Sequence, residues 1–450
     1  MIARTLLGGL LLWAGAAHAN IFDIYGFGAR GISMGGAMTA IANDYTAAFY
    51  NPAALTEPEL VRYGIDVLVT VPHFETRLSR PACLDSAGDC ALRFPEGYSA
   101  REPSEPDLFA GVTVGWAIPF EVGLGRLAMG VALYVPTVNL VRAQALDPVT
   151  PQYYMYQNLP DQLVILASLA WAPVDWFSFG AGVQILADVH GEANFRIDTT
   201  NHRFDQSDIH VEIVPKTAVI AGVLFRPSKG MRIGVSYRQA LSLEFGLPAE
   251  VDASGVLVIG LGTGGSVLYS PHQFQFGLGY HIAAADLTLS AELDYALWSK
   301  APDPSPQVTV SVGGNVLDAL GATGALDVGA DAAPLDLGFS DTVTSRFGAE
   351  WEPLDWFTAR VGYSFRPSPA PRATGPYNYL DNDVHSVAFG LGFSFMDPLS
   401  VHERPIRIDL GNAFGILPRR TILKPAGDPV GSLEHSGWTY SVSVSITHNY

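Results

Sequence analysis

The chain is short of charge. Only 16% of its 450 residues are Asp, Glu, Lys or Arg, where a soluble domain carries about 25%, and this argues against an ordinary secreted globular protein. Basic residues are scarcer still, 26 against 44 acidic. The resulting formal charge of -18 argues against nucleic acid as a partner, because phosphates would be repelled. There are two cysteines, Cys83 and Cys90 in "CLDSAGDC", and neither has a His or Cys nearby at zinc spacing. In an exported chain they read as a small loop-closing disulfide, and no metal site is expected. The absence that decides most is that of a long apolar run. Hydrophobic residues make up 48% of the chain, yet beyond the N-terminus no run approaches the roughly 18 residues of a membrane-spanning helix. Apolar content without apolar helices leaves a β-rich protein, in a membrane or around a soluble core.

At the N-terminus Arg4, the apolar run Leu6 to Ala17 and the triplet Ala17-His18-Ala19 read as a secretory signal over residues 1–19, cleaved before Asn20. Soon after it, "GFGARGISMGG" (Gly26 to Gly36) fits two catalytic patterns at once, the dinucleotide G-x-G-x-x-G and the nucleophile elbow G-x-S-x-G around Ser33. Both need a β-strand immediately upstream, and the mature chain has no room for one. Nor does an acidic residue lie about twenty positions past the loop, as a ribose ligand would; Asp44 is nearer and Glu57 farther. Neither an oxidoreductase nor a hydrolase is expected, and no cofactor.

From Leu60 onward the pattern has period two. In "HQFQFGLGYHI" the residues His272, Phe274, Phe276, Leu278, Tyr280 and Ile282 alternate with Gln, Gly and His. "LTLSAELDYAL" sets Leu287, Leu289, Ala291, Leu293, Tyr295 and Leu297 against Thr288, Ser290, Glu292, Asp294 and Ala296. "VHSVAFGLGFSF" sets Val387, Phe389, Leu391, Phe393 and Phe395 against small residues, and the final "WTYSVSVSITHNY" repeats the habit up to an aromatic C-terminus. One face apolar, the other small or polar, suits strands between lipid and a lumen.

Alternation also suits a soluble sandwich, so the connections decide. Short turns fall at 119–126, 173–176, 227–230, 283–286, 353–356 and 397–405. Long polar or Gly/Pro-rich loops fall between them, at 76–106, 141–162, 196–214, 248–266, 300–340, 367–382 and 419–436. The two kinds take turns, so all long loops lie on one side of a fourteen-stranded antiparallel barrel. Outer-membrane barrels sort their loops in this way, and closure satisfies every backbone group in lipid. "WAPVDWFSFGAGV" from Trp171 and "WEPLDWFTARVGY" from Trp351 repeat one strand-turn-strand grammar, consistent with a Trp belt at the periplasmic interface.

If the apolar positions face lipid, parity turns Asp66, Arg232, Arg238, Glu292, Asp294, Arg346, Glu350, Arg360, Arg366, Arg407 and Asp409 inward. Such charges are tolerable when paired, as a lattice between plug and wall. Alternatively Arg360 or Arg366 receives a ligand carboxylate.

Residues 28–55, "GARGISMGGAMTAIANDYTAAFYNPAAL", resemble the N-terminal hatch of the FadL/TodX family of outer-membrane transporters for hydrophobic compounds. "MRIGVSYRQALSLEFG" and "YNYLDNDVHSVAFGLGFSF" are similar to strands of that family. The resemblance implies an all-β fold, a fourteen-stranded barrel over 60–450 plugged by a hatch over 20–59, in the outer membrane of a Gram-negative bacterium. It implies a monomer that is inserted by the barrel-assembly machinery, contacts outer-membrane lipid and carries a hydrophobic cargo, a fatty acid or an aromatic hydrocarbon. Cargo would meet Asn20, Ile21, Phe22, Ile24 and Tyr25 in the lumen. It would leave sideways where Asn51, Pro52 and Ala53 lie beside a kink in the third strand, "RLAMGVALYVPTVNL", with Gly130 or Pro136 breaking the ladder. Tyr153, Tyr154, Met155, Tyr156 and Leu159 would make an external landing patch. For Phe22 and Tyr25, packing of the plug against the wall is an equal alternative. The rival functions are an adhesin or receptor and an outer-membrane esterase. Non-reducing mass spectrometry should find Cys83 joined to Cys90, and free thiols in the native protein would refute that bridge.

Overall fold

The computed structural model describes residues 21–78, 108–123, 125–138, 150–156, 163–198, 203–253, 257–302, 307–315, 319, 321, 328–329, 337–372, 378–397, 403–424 and 431–450. Cys83, Cys90, Asn20 and Leu159 lie outside them. Fourteen strands form the wall: β1 Arg62–Leu78, β2 Phe109–Val122, β3 Gly125–Pro136, β4 Val164–Val174, β5 Phe177–Asp198, β6 Arg203–Ser228 and β7 Met231–Arg238. The second half comprises β8 Gln273–Ile282, β9 Leu287–Ala296, β10 Thr342–Leu354, β11 Phe357–Arg366, β12 Val384–Phe395, β13 Ile406–Ile422 and β14 Leu433–Asn449. Each pairs antiparallel with the next, and β1 closes on β14 from Arg62↔Asn449 to Leu78↔Leu433. The ring has no free edge, so the wall satisfies its own amides. Among the described residues no helix is long and apolar enough to cross a membrane.

The parity expected from the sequence holds in the wall. Phe276, Leu278, Phe347 and Phe389 are each more than half exposed outward, while Asp66, Arg238, Glu292, Asp294, Arg346, Glu350, Arg360 and Asp409 are buried inward. Water would not tolerate so continuous a belt of exposed large apolar side chains, but lipid demands one. Trp176, Trp351 and Trp356 lie exposed near the short turns. The two echoed hairpins share one irregularity as well, a register shift between Trp171 and Val174 in β4–β5 and between Trp351 and Leu354 in β10–β11.

Several expected loops are strand instead. Within the expected 196–214 loop β5 continues to Asp198 and β6 begins at Arg203, and the 26 residues of β6 are more than twice the roughly 9–11 that cross a bilayer. Within the expected 248–266 loop two strands pair antiparallel, Leu241–Ala253 with Leu257–Ser270, and Gln307–Gly313 pairs beside them within the expected 300–340 loop. The first of the two also pairs in parallel with β5, Ala193↔Ala249 to Ile197↔Ala253. β13 and β14 likewise extend into 419–436. These segments gain ladder bonds from one another above the membrane, a long-range pairing that local turn chemistry does not announce.

The plug comprises α1 (Ile21–Tyr25), α2 (Ala29–Ser33), α3 (Ala47–Tyr50) and a 3-10 turn at Pro52–Thr56. Its backbone comes so close to the wall that only small inward residues fit. One row runs Gly279↔Ser290↔Gly348↔Gly362↔Ala388 from β8 to β12. A side chain at Gly362 would overlap the backbone of Met34 and Gly35, and one at Gly234 that of Thr39. Gly35 and Gly36 themselves adopt φ of 62° and 81°, where other residues are strained. Replacing Gly362 by Val should therefore unseat the plug while the barrel still closes, at about 1–3 kcal/mol of overpacking. The protein should keep its heat-modifiable electrophoretic mobility but expose residues 21–59 to protease; unchanged protection would refute the contact.

Candidate functional site: the plugged lumen

The "GFGARGISMGG" stretch forms α2 and its flanks. The amide of Ala29 at the start of α2 meets the Asp66 carboxylate at 3.2 Å, so an acidic side chain sits where a dinucleotide phosphate would. Ser33 is fully buried and donates its hydroxyl to the Ala29 carbonyl at 2.6 Å, leaving it no geometry for attack. Neither catalytic pattern has a site here.

Around α2 the inward charges form one lattice between plug and wall. Arg30 grips Glu350 with two bonds of 2.8 Å and Asn43 with a third. Arg360 bridges Glu350 and Asp409, both at 2.6 Å, and Arg407 adds a bond to Asp409 at 3.0 Å. Arg346 spans Glu292 at 2.7 Å and Asp294 at 3.0 Å, while Glu292 accepts the Thr39 amide at 2.9 Å. Asp23 of α1 pairs with Arg238, and accepts from Gln273 at 3.0 Å; Arg238 in turn lies 4.0 Å over the Phe49 ring. Burial pushes the Asp23 carboxyl above its ordinary range despite Arg238, so α1 holds its anion at a cost in desolvation. At the short-turn end Glu57 ties the plug to Arg226 and to Arg232, the latter at 2.9 Å.

The lattice occupies one side of the lumen. On the other side the inward residues are Ala128, Gly130, Ala132 and Tyr134 of β3; Val164, Leu166, Ser168 and Ala170 of β4; Ser178, Gly180, Gly182, Gln184 and Leu186 of β5; and Ala218, Ile220, Gly222 and Leu224 of β6. None of these carries a charge; the charges of the same parity stand at the two ends, Arg126 and Arg226 toward the short turns and Lys216 toward the long loops. Aromatics fill the space beside them: Phe22 lies edge-on to Tyr134 at 5.3 Å, and Tyr25 meets Phe109 at 4.7 Å. Above, Gln152–Tyr153 pairs in parallel with Tyr379–Leu380 as a lid. Tyr153 stacks on Phe74 at 4.1 Å, and Tyr156 reaches Tyr25 at 6.2 Å. Burial pushes the Tyr156 hydroxyl up to about 12 although Arg366 pulls it down, so it remains a neutral phenol.

Several residues chosen from sequence take other roles. Arg360 and Arg366 were candidates for a ligand carboxylate, but both already hold carboxylates of the protein. Arg360 is buried between Glu350 and Asp409, and Arg366 makes two 2.9 Å bonds to Asp381. Tyr153, Tyr154, Met155 and Tyr156 are buried under the lid and present no external landing patch. Gly130 and Pro136 do not break β3, whose ladders run in register from Gly111↔Pro136 to Val122↔Gly125 on one side and from Arg126↔Ala172 to Tyr134↔Val164 on the other. Gly130 is instead the notch that receives Leu55. Asn51, Pro52 and Ala53 sit against β5 and β6, where Asn51 donates to the Val223 carbonyl at 3.1 Å and Ser178 to that of Ala53 at 3.0 Å. Phe22, Ile24 and Tyr25 do line one cavity, of about 60 Å³. It is far below the roughly 300 Å³ of a small-ligand site, so α1 must shift before anything larger than a few waters enters.

No family model matches the chain. It is 22% identical over 451 residues to alkane uptake protein A of Marinobacter nauticus, covering 96% of this chain and 92% of that protein. In three dimensions it resembles a FadL homologue of Pseudomonas aeruginosa, with a TM-score of 0.61 at 15% identity over 97% of this chain and all of the other. The toluene transporter TodX of Pseudomonas putida gives 0.54 at 15% identity over 95% and 99%. The chain therefore has the fold of these outer-membrane barrels.

Removing one member of the lattice strands a buried charge. Glu350→Gln should leave Arg30 and Arg360 short of a partner and cost about 3–5 kcal/mol, read as a lower temperature of heat-modifiable unfolding; a loss below about 1 kcal/mol, the worth of an exposed pair, would show the lattice to be solvated.

Proposed function

We propose that this chain is a member of the FadL/TodX family, a non-enzymatic outer-membrane channel that admits hydrophobic small molecules by passive diffusion and releases them sideways into the membrane. On this reading residues 1–19 are the signal peptide, 20–59 the hatch and 60–450 the barrel, which works as a monomer without cofactor. The observation that carries the proposal is the two-sided lumen. Most ion pairs between plug and wall fall on β7–β13, and the inward face of β3–β6 is small, apolar or neutral between Arg126 and Arg226 at the short-turn end and Lys216 toward the long loops. An oily molecule loses nothing by sliding along such a wall, and gains by leaving water.

The same arithmetic favours uncharged hydrocarbons over carboxylates. The lattice arginines are matched to protein carboxylates, so a fatty-acid anion at the middle of this wall, between Lys216 and Arg126, would meet no cation, at a cost of several kcal/mol. The alkane uptake protein and the toluene transporter carry cargo of the uncharged kind by their names. Entry requires the lid and α1 to part at Tyr156 and Tyr25. Exit requires the 3-10 turn to lift Leu55 from the Gly130 notch, since β3 itself is unbroken.

Proteoliposomes should take up a labelled n-alkane or alkylbenzene at least tenfold faster than palmitate at neutral pH. Leu166→Arg should reverse that preference, and Leu55→Trp, wedged in its notch, should slow both cargoes in a correctly assembled barrel. Equal rates for alkane and palmitate would sink the uncharged-cargo reading, and uptake of neither would sink the channel.

A further inference from the structure

A large apolar hollow lies outside the barrel. It is a groove of about 770 Å³ across β7–β12, lined by Leu278, Leu289, Ala291, Phe347, Ala349 and Val361 among others. The outward row Leu278↔Ala291↔Phe347 and the next, Leu289↔Ala349↔Val361, explain its shape. In each, an alanine stands between large side chains, and the two alanines adjoin diagonally on β9 and β10. The groove ends at Met231, beside the short turn at 227–230.

Met231 also lines a second hollow, of about 370 Å³, which it shares with Asp175, Trp176, Arg226, Ser228, Lys229, Gly230 and Arg232. Three cations, Arg226, Lys229 and Arg232, line it with one carboxylate, Asp175, and Arg226 and Arg232 share a second, Glu57. Lys229 is the exposed member. Trp176, 59% exposed, marks the level of the polar headgroups.

We propose that the two hollows together hold one glycerophospholipid of the periplasmic leaflet, an acyl chain lying in the alanine groove and the phosphate beside Lys229. The groove is continuous with the lipid-facing belt, which supplies acyl chains and no water. A second barrel about a two-fold axis would offer the same hollow, and two hollows do not fill one another. The excess positive charge at the groove's polar end matches a phosphate, and that end opens at the short-turn rim rather than among the long loops. Behind the groove, Gly348 and Gly362 lie against Met34 and Gly35 of the plug on the inner face, so a bound chain would brace the wall where the plug leans on it.

Native mass spectrometry tests this on full-length protein in mild detergent with added dioleoylphosphatidylglycerol. Wild type should retain one lipid under activation that strips the rest. Ala291→Leu with Ala349→Leu fills the groove from the lipid side and should lower retention at least fivefold. Ala167→Leu with Ala181→Leu, on the lipid face of β4 and β5, should leave it unchanged. Lys229→Glu should weaken retention two- to tenfold. Heat-modifiable mobility checks that each variant has closed its barrel. Equal retention in the groove-filled variant and wild type, or none in wild type, would overturn the site; full retention in Lys229→Glu would overturn the phosphate assignment.

Discussion

A backbone that crosses hydrocarbon must satisfy its amides without water, and everything else in this molecule follows from meeting that demand with a closed sheet. Closure of β1 on β14 leaves no edge, but it creates a lumen too wide for the wall's own side chains to fill. The N-terminal segment fills it. A plug of short helices cannot bury itself, so it borrows the wall, and the wall yields space by keeping its inward residues small. At Gly362, Gly348 and Gly234 the plug lies against the sheet with no side chain between.

Small residues permit approach but do not hold anything in place. The hold comes largely from arginines and carboxylates that meet their opposites, with Arg30–Glu350–Arg360–Asp409–Arg407 as one continuous run. Buried pairs of this kind are poor sources of net stability, because desolvation offsets much of the attraction. They are directional, however, and a plug made of five-residue helices needs direction more than it needs attraction.

The lattice also shapes what the lumen can carry. Charge gathered mainly against β7–β13 leaves the middle of β3–β6 uncharged, and the aromatics of α1 and of the lid occupy that side. Phe22, Tyr25, Tyr134 and Tyr156 form the packing of this closed state, and on the function proposed above they are also the surface a cargo would have to displace.

The sequence by itself determined the wall. Period-two alternation, the absence of apolar helices and the alternation of short turns with long loops gave fourteen strands and their facing, because each of these signals is local. It also placed the inward charges, since parity needs no knowledge of neighbours. The tertiary structure alone decided how those charges pair: Arg360 and Glu350 are cross-strand partners, and Arg30 reaches them across 320 positions. It likewise placed Leu55 in the Gly130 notch and buried Tyr153 to Tyr156 under a lid made with Tyr379 and Leu380. The glycines on the polar face of so many strands were legible as small residues, but a missing side chain does not name what comes to rest against it. Facing is written along one strand, whereas contact depends on which strands and which part of the plug closure brings together.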